Sequence, residues 1–202
     1  MNSFKISTDF DEYKKVFLEE NAKLNLISKN EEKYLYEKHF YDSLGIKLFF
    51  KEYDYLPETL LDIGTGGGFP AIPVALEYPN IKVFGLDSIR KKTVAVKNIS
   101  KKLNLNNLSI INDRVENLKG ISFDLITSRA VGKIDKLVNY AYPLLNNYGY
   151  IVLYKSKNVN EEMNKAKDLI RKFHLKILPF IEYKLPTEED YVRNLVILKK
   201  VK

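Results

Sequence analysis

Leu60-Leu-Asp-Ile-Gly-Thr-Gly-Gly-Gly-Phe-Pro-Ala71 places four of the chain's nine glycines within five positions. A short apolar run enters this stretch and a helix-like pattern leaves it. Glycine lets a backbone turn tightly and approach a ligand closely. In an open α/β sheet, ligands bind beyond the carboxyl ends of the strands, where the strand order reverses. The loop after the first strand, Gly64 to Gly68, is therefore the candidate ligand site.

Outward from the loop, short apolar runs at 59–63, 81–87, 108–112, 123–128 and 148–155 alternate with amphipathic stretches at 70–78, 90–105, 133–145 and 160–173. That β-α-β-α rhythm, with strands apolar on both faces, predicts a parallel doubly wound sheet. Asn147-Tyr-Gly149 reads as a turn that starts the fifth strand. The tail differs, because 177–186 and 191–200 are strand-like with no helix between them. They predict an antiparallel pair at the sheet edge. Before the loop, Phe10, Tyr13 and Phe17 and then Leu24, Leu26 and Ile27 recur at helical spacing, predicting two or three helices between Thr8 and Phe50. The expected organisation is one domain over 1–202: a helical extension at 1–56, and a core at 57–202 whose seven-stranded, mostly parallel sheet carries helices on both faces.

The chain has 202 residues, 45% hydrophobic and 29% charged, the proportions of an ordinary globular protein. No apolar run approaches the roughly 20 residues of a membrane span, and charges interrupt the N-terminus where a signal peptide would be apolar. No membrane role and a cytoplasmic location are expected. Zero cysteines exclude thiolate metal sites and a thiol nucleophile, and two histidines argue against a histidine metal site. The net charge of +7 is compatible with a lysine-biased composition or with a polyanionic partner such as RNA.

Two ligands suit the loop. Gly66-x-Gly68-x-x-Ala71 followed by Asp87 satisfies a dinucleotide fingerprint, which keeps NAD and an oxidoreductase open. Asp62, just before the loop, opposes a pyrophosphate and favours a ligand that brings positive charge. S-adenosylmethionine, with its sulfonium and ammonium, is such a ligand. A non-catalytic RNA-binding module on the same fold is a third reading.

Further residues carry a resemblance. Asn25-Leu-Ile-Ser28, His39-Phe-Tyr-Asp-Ser43, Asp62-Ile-Gly-Thr-Gly-Gly-Gly-Phe-Pro70, Leu86-Asp-Ser88 with Lys91-Lys92, Asp113-Arg-Val-Glu116, Ser128-Arg-Ala130 and Arg193-Asn-Leu-Val-Ile197 run in order along nearly the whole chain. In these the chain resembles the RsmG (GidB) family of 16S ribosomal RNA methyltransferases. It departs at Tyr154-Lys-Ser156, where the family commonly has Leu-Lys-Gly or Leu-Lys-Ala, and at Arg114-Val-Glu116, where it commonly has Arg-Ala-Glu. The resemblance implies a Rossmann-like class I methyltransferase fold. It further implies methyl transfer from S-adenosylmethionine to ring nitrogen 7 of one guanosine in 16S rRNA or the small ribosomal subunit. The implied cofactor positions are Gly64, Gly66, Phe69, Asp87, Val115, Glu116 and Arg129. His39, Lys155 and Arg193 are the candidates for RNA. Arg129 is expected to pair with the methionine carboxylate, Glu116 or an RNA phosphate. Guanine nitrogen 7 already presents a lone pair, so no catalytic acid or base is expected, nor a metal. A monomer is expected.

Overall fold

The structure, a computed structural model, describes residues 3–129, 132–156, 159–187 and 191–201. Its seven strands form one sheet of order β3-β2-β1-β4-β5-β7-β6. Strands β1 (Thr59–Ile63), β2 (Lys82–Asp87), β3 (Leu108–Asn112), β4 (Phe123–Arg129) and β5 (Leu145–Lys155) are parallel. β6 (Leu175–Lys184) and β7 (Val192–Lys200) complete the sheet as the expected antiparallel pair, with β7 lying against β5. β1 is flanked by β2 on one side and β4 on the other, so the order reverses beside the glycine loop.

Both faces of the sheet are covered, which is why its strands read as continuous apolar runs. Leu60 belongs to the core on one face and Leu61 and Ile63 to the core on the other, following the two-residue period of a strand. α4 (Ala71–Glu77) and α5 (Arg90–Lys102) cover the first face; α6 (Ile134–Ala141) and α7 (Val159–Lys172) cover the second. Leu60 and Leu61 have no exposed surface, so truncating either to alanine should cost about 2–5 kcal/mol.

The N-terminal helices share the first core. α1 (Asp11–Leu24) begins with Asp11 and Glu12, acids that suit the positive end of a helix, and stops where Asn25 turns left-handed at φ 49°. Its Phe10–Tyr13–Phe17 stripe packs on Phe40 and Phe69; the Tyr13 and Phe40 rings stack at 4.4 Å, and Phe17 lies 5.1 Å from Phe69. After α2 (Lys29–Glu32) comes a wide π-helical segment, Leu35–Tyr41, and then α3 (Ile46–Glu52). The apolar spacing did not foretell the π segment, because it differs from an α-helix only in hydrogen-bond register. Such widened turns collect at functional sites.

One expected turn is a bulge instead. β5 already begins at Leu145, and the pairing jumps from Phe123–Leu145 to Leu125–Tyr150, with Tyr148 at φ 65° absorbing the extra residues. A side chain at Gly149 would stand 2.8 Å from the Asp124 carbonyl.

Candidate functional site

The glycine loop is braced by its neighbours. The Gly64 and Thr65 amides donate to the Leu86 carbonyl at 2.8 and 2.9 Å, joining β1 to the end of β2. Gly64, Gly66 and Gly68 all have positive φ, yet Gly66 and Gly68 differ in the space around them. A Cβ at Gly66 would meet nothing nearer than 3.9 Å, whereas one at Gly68 would strike Ile72 at 2.5 Å. Gly68 is therefore needed for packing as well as for its backbone turn, whereas at Gly66 only the positive φ asks for glycine and the space above it stays open. Asp87 accepts from the Gly66 amide at 2.9 Å and from the Ile89 amide at 2.8 Å. Each carboxylate oxygen retains a lone pair after these bonds.

Around this loop lies a cleft of about 650 Å³ at the carboxyl ends of β1 to β4. Gly64, Gly66, Phe69, Asp87, Val115, Glu116 and Arg129 all line it. Asn112 fixes the loop after β3 by donating to the Asp87 carbonyl at 3.0 Å. A cradle with no Cβ at Gly66, an acid at the tip of β2 and apolar flanks from Phe69, Leu86 and Val115 fit an adenosine with a short charged chain.

Asp62 is placed differently from the expectation. It is fully buried beneath the loop, does not line the cleft, and accepts from the Thr127 hydroxyl at 3.2 Å. Burial raises its pKa to about 7, against the opposing pull of that hydrogen bond and of Arg129. It is thus no fixed negative charge facing a ligand, and the electrostatic ground for disfavouring a pyrophosphate falls away.

Arg129 also has partners other than those expected. Its Nη1 donates to Asp42 Oδ2 at 3.1 Å and to the Lys38 carbonyl at 3.0 Å, and its Nη2 lies 3.0 Å from His39 Nδ1. The guanidinium also stands 5.1 Å over the Phe69 ring. Asp42 is 1% exposed and serves three partners, since Arg193 Nε approaches at 3.4 Å and the Tyr183 hydroxyl donates at 2.8 Å. A buried carboxylate of this kind stands only where cations and donors compensate it.

A second cleft, about 420 Å³, opens on this network. His39, Lys155 and Arg193 line it, and Glu31, His39 and Arg129 line both clefts. Lys155 is committed within the protein, donating to Glu162 at 2.7 Å and to the Gly132 carbonyl at 2.8 Å. Asp42 and Glu162 were missed in the sequence. Asp42 lies within the run His39–Ser43 that carries part of the resemblance, and that was the available signal for it; Glu162, among other charges on α7, offered none. Ala130, the last residue of the Ser-Arg-Ala run, lies outside the described residues. Among the described residues no cluster of side chains suits a metal ion, and no helix is long and apolar enough to cross a membrane.

Comparison with known proteins follows the same outline. The family model for GidB, rRNA small subunit methyltransferase G, matches residues 6–188. Ribosomal RNA small subunit methyltransferase G of Staphylococcus saprophyticus is 36% identical over 203 residues, covering 98% of this chain and 83% of the relative. That of Bacillus subtilis is 33% identical over 198 residues, with 96% and 82% covered. Among solved structures, a methyltransferase from Pyrococcus furiosus superposes with a TM-score of 0.63 at 22% identity, covering 78% of this chain and 82% of that one. An O-methyltransferase from Bacillus cereus does so with 0.64 at 16% identity, covering 96% and 94%. These two share the Rossmann-like methyltransferase fold.

Proposed function

The chain belongs to the rRNA small subunit methyltransferase G family, and from that premise we propose that its methyl acceptor is ring nitrogen 7 of one guanosine in 16S rRNA. It is an S-adenosylmethionine-dependent methyltransferase of ribosomal RNA. The observation that carries the finer reading is the shared wall: a glycine-floored cleft and a second cleft beside Arg193 and Lys38 meet at His39 and Arg129.

S-adenosylmethionine supplies an electrophilic methyl group on a sulfonium. The chain's part is to hold and orient. The backbone at Gly64 and Gly66 would lie against the methionine part, Asp87 would accept from the ribose hydroxyls, and Val115 and Glu116 would flank the adenine. Phe69 and Arg129 close the end nearest the second cleft. Arg129 would repel a sulfonium if its charge stood alone, and Asp42 offsets that charge at 3.1 Å. Guanine nitrogen 7 carries an in-plane lone pair, so no residue must remove a proton before transfer. Alignment of two bound partners then supplies most of the acceleration.

The proposed working unit is a monomer in the cytoplasm, with all of 1–202 acting as one domain and the 1–56 extension completing the second cleft. His39, Lys155 and Arg193 remain its proposed RNA-side residues, Lys155 acting through its bond to Glu162. The test is mass spectrometry of 16S rRNA nucleosides from cells with and without the gene. One 7-methylguanosine should disappear and return with the wild-type gene, but not with Asp87→Ala. An unchanged nucleoside profile would overturn the assignment.

A further inference from the structure

His39 carries a donor that no described residue accepts. Its Nδ1 lies 3.0 Å from Arg129 Nη2. A guanidinium nitrogen can only donate, so Nδ1 is the acceptor and the ring proton resides on Nε2. Burial, and after it the charges of Arg129, Arg193 and Lys38, push the ring's pKa down to about 3. The imidazole is therefore neutral near pH 7 and held in one tautomer.

Nε2 is buried and has no hydrogen-bond partner among the described residues. Glu31 Oε1 is 4.0 Å away, beyond hydrogen-bond reach. The other Glu31 oxygen is engaged by Ser28, whose amide and hydroxyl approach at 3.4 and 3.1 Å. Buried donors are normally paired, and an exception calls for a partner from outside the chain. The His39 side chain is 10% exposed, its ring rests 4.9 Å from that of Phe69, and the residue lines both clefts.

We propose that the second cleft receives the methyl-accepting guanine and that His39 Nε2–H donates to its O6, selecting guanine over adenine. This rests on the nitrogen-7 reading above. Guanine and adenine both present nitrogen 7, so the reacting atom cannot tell them apart. The neighbouring position can, because guanine offers the O6 acceptor there and adenine an amino donor. A ring nitrogen that only donates binds the first and faces the second N–H to N–H. Arg129 is what prevents the ring from inverting this preference, since it occupies Nδ1. The entering base displaces the Glu31 carboxylate, whose side chain is half exposed.

The chain has two histidines, His39 and His174, so protein labelled with nitrogen-15 histidine gives two ring systems to follow by NMR. With S-adenosylhomocysteine bound, His39 should show the Nε2–H tautomer. Its Nε2 proton should move downfield on adding millimolar guanosine or inosine 5′-monophosphate, which both carry O6, and should not with the adenosine nucleotide. An Nδ1–H tautomer, an unmoved proton, or an equal shift with adenosine would each overturn the proposal.

Methyl transfer to small subunits from cells lacking the gene is the second measurement. Gln at position 39 sets an amide donor where Nε2 lies, whereas Asn restores only the acceptor toward Arg129. His39→Asn and His39→Phe should lose about 10- to 100-fold in kcat/KM, more than any change in S-adenosylhomocysteine affinity accounts for, and His39→Gln should lose clearly less than either. Equal activities for Gln and Asn would overturn the donor role. Wild-type protein that methylates nothing would sink the family activity instead, and the NMR result would stand apart from it.

Discussion

The two clefts share a wall but are built by opposite means. The first is formed mainly by three loops, each following one of the first three strands, and its floor is the backbone at Gly64 and Gly66, held by the Leu86 carbonyl and the Asp87 carboxylate respectively. The second draws Glu31, His39 and Asp42 from the N-terminal helices, Arg129 from β4, Lys155 from β5, Glu162 from α7 and Arg193 from β7. Its centre is a buried carboxylate between two arginines. A site of local loops depends on conformation at a few positions. A site assembled from distant segments depends on the whole fold and on balanced charge.

The difference is sharpest at Asp42. Asp42→Ala would leave Arg129 and Arg193 in a largely buried network without their carboxylate, and should lower stability by about 3–5 kcal/mol. Denaturant unfolding measures this, and a loss below about 1 kcal/mol would show the network to be solvated rather than buried. Asp87→Ala should do the reverse, weakening S-adenosylmethionine binding by roughly 1.5–3 kcal/mol with less effect on stability, since it removes acceptors for the ribose. Calorimetry of the folded variant reads it directly. Unchanged affinity would detach Asp87 from the ribose.

Gly66→Ala lies between these. The position is left-handed at φ 57° but sterically open, so alanine should cost the fold about 1–2 kcal/mol. The same methyl group intrudes where the ligand's methionine part is placed, and S-adenosylhomocysteine titration should register a loss. Retained binding would mean that the glycine serves only the turn.

In the wild type the smallest net effect concerns pH, because there the two clefts oppose each other. The Asp62 carboxyl, under the first, has a pKa of about 7 in the folded protein against an ordinary 3.8. Between those values the folded state keeps a proton that the unfolded state has lost, so this residue makes stability fall as pH rises through the window. His39, at the second, has a pKa of about 3 against 6.5. There the unfolded state holds a proton that the folded state refuses, so stability is lost as pH falls below 6.5. Each slope is at most about 1.4 kcal/mol per pH unit, and over their shared range they cancel. Relative to wild type, Asp62→Asn should make stability rise more with pH between about 4.5 and 6.5, and His39→Gln should make it rise less. Unfolding curves at several pH values would show parallel lines if neither group is perturbed.

Much of the first cleft was legible because its residues are close in sequence and their types are dictated locally. Gly64, Gly66 and Asp87 each sit at the end of an apolar run, where strand period and turn chemistry locate them within a residue or two. Arg129 was legible as a position, at the end of β4, but not as an interaction. Its partner lies 87 residues earlier in the chain, and no periodicity connects them. Asp62 misled for a related reason. Its place beside the loop was right, but whether a side chain at a strand end faces the ligand or the core depends on the twist of the finished sheet.

The sequence by itself determined the alternation of strand and helix, the antiparallel tail, the glycine loop and the acid after β2, because apolar period and backbone freedom are properties of a few neighbouring residues. Only the tertiary structure decided that Asp42 would neutralise Arg129, that Lys155 would be paired with Glu162, and that His39 would turn its Nδ1 toward Arg129. Those outcomes are set by which charges are desolvated together, and desolvation exists only once remote segments have packed.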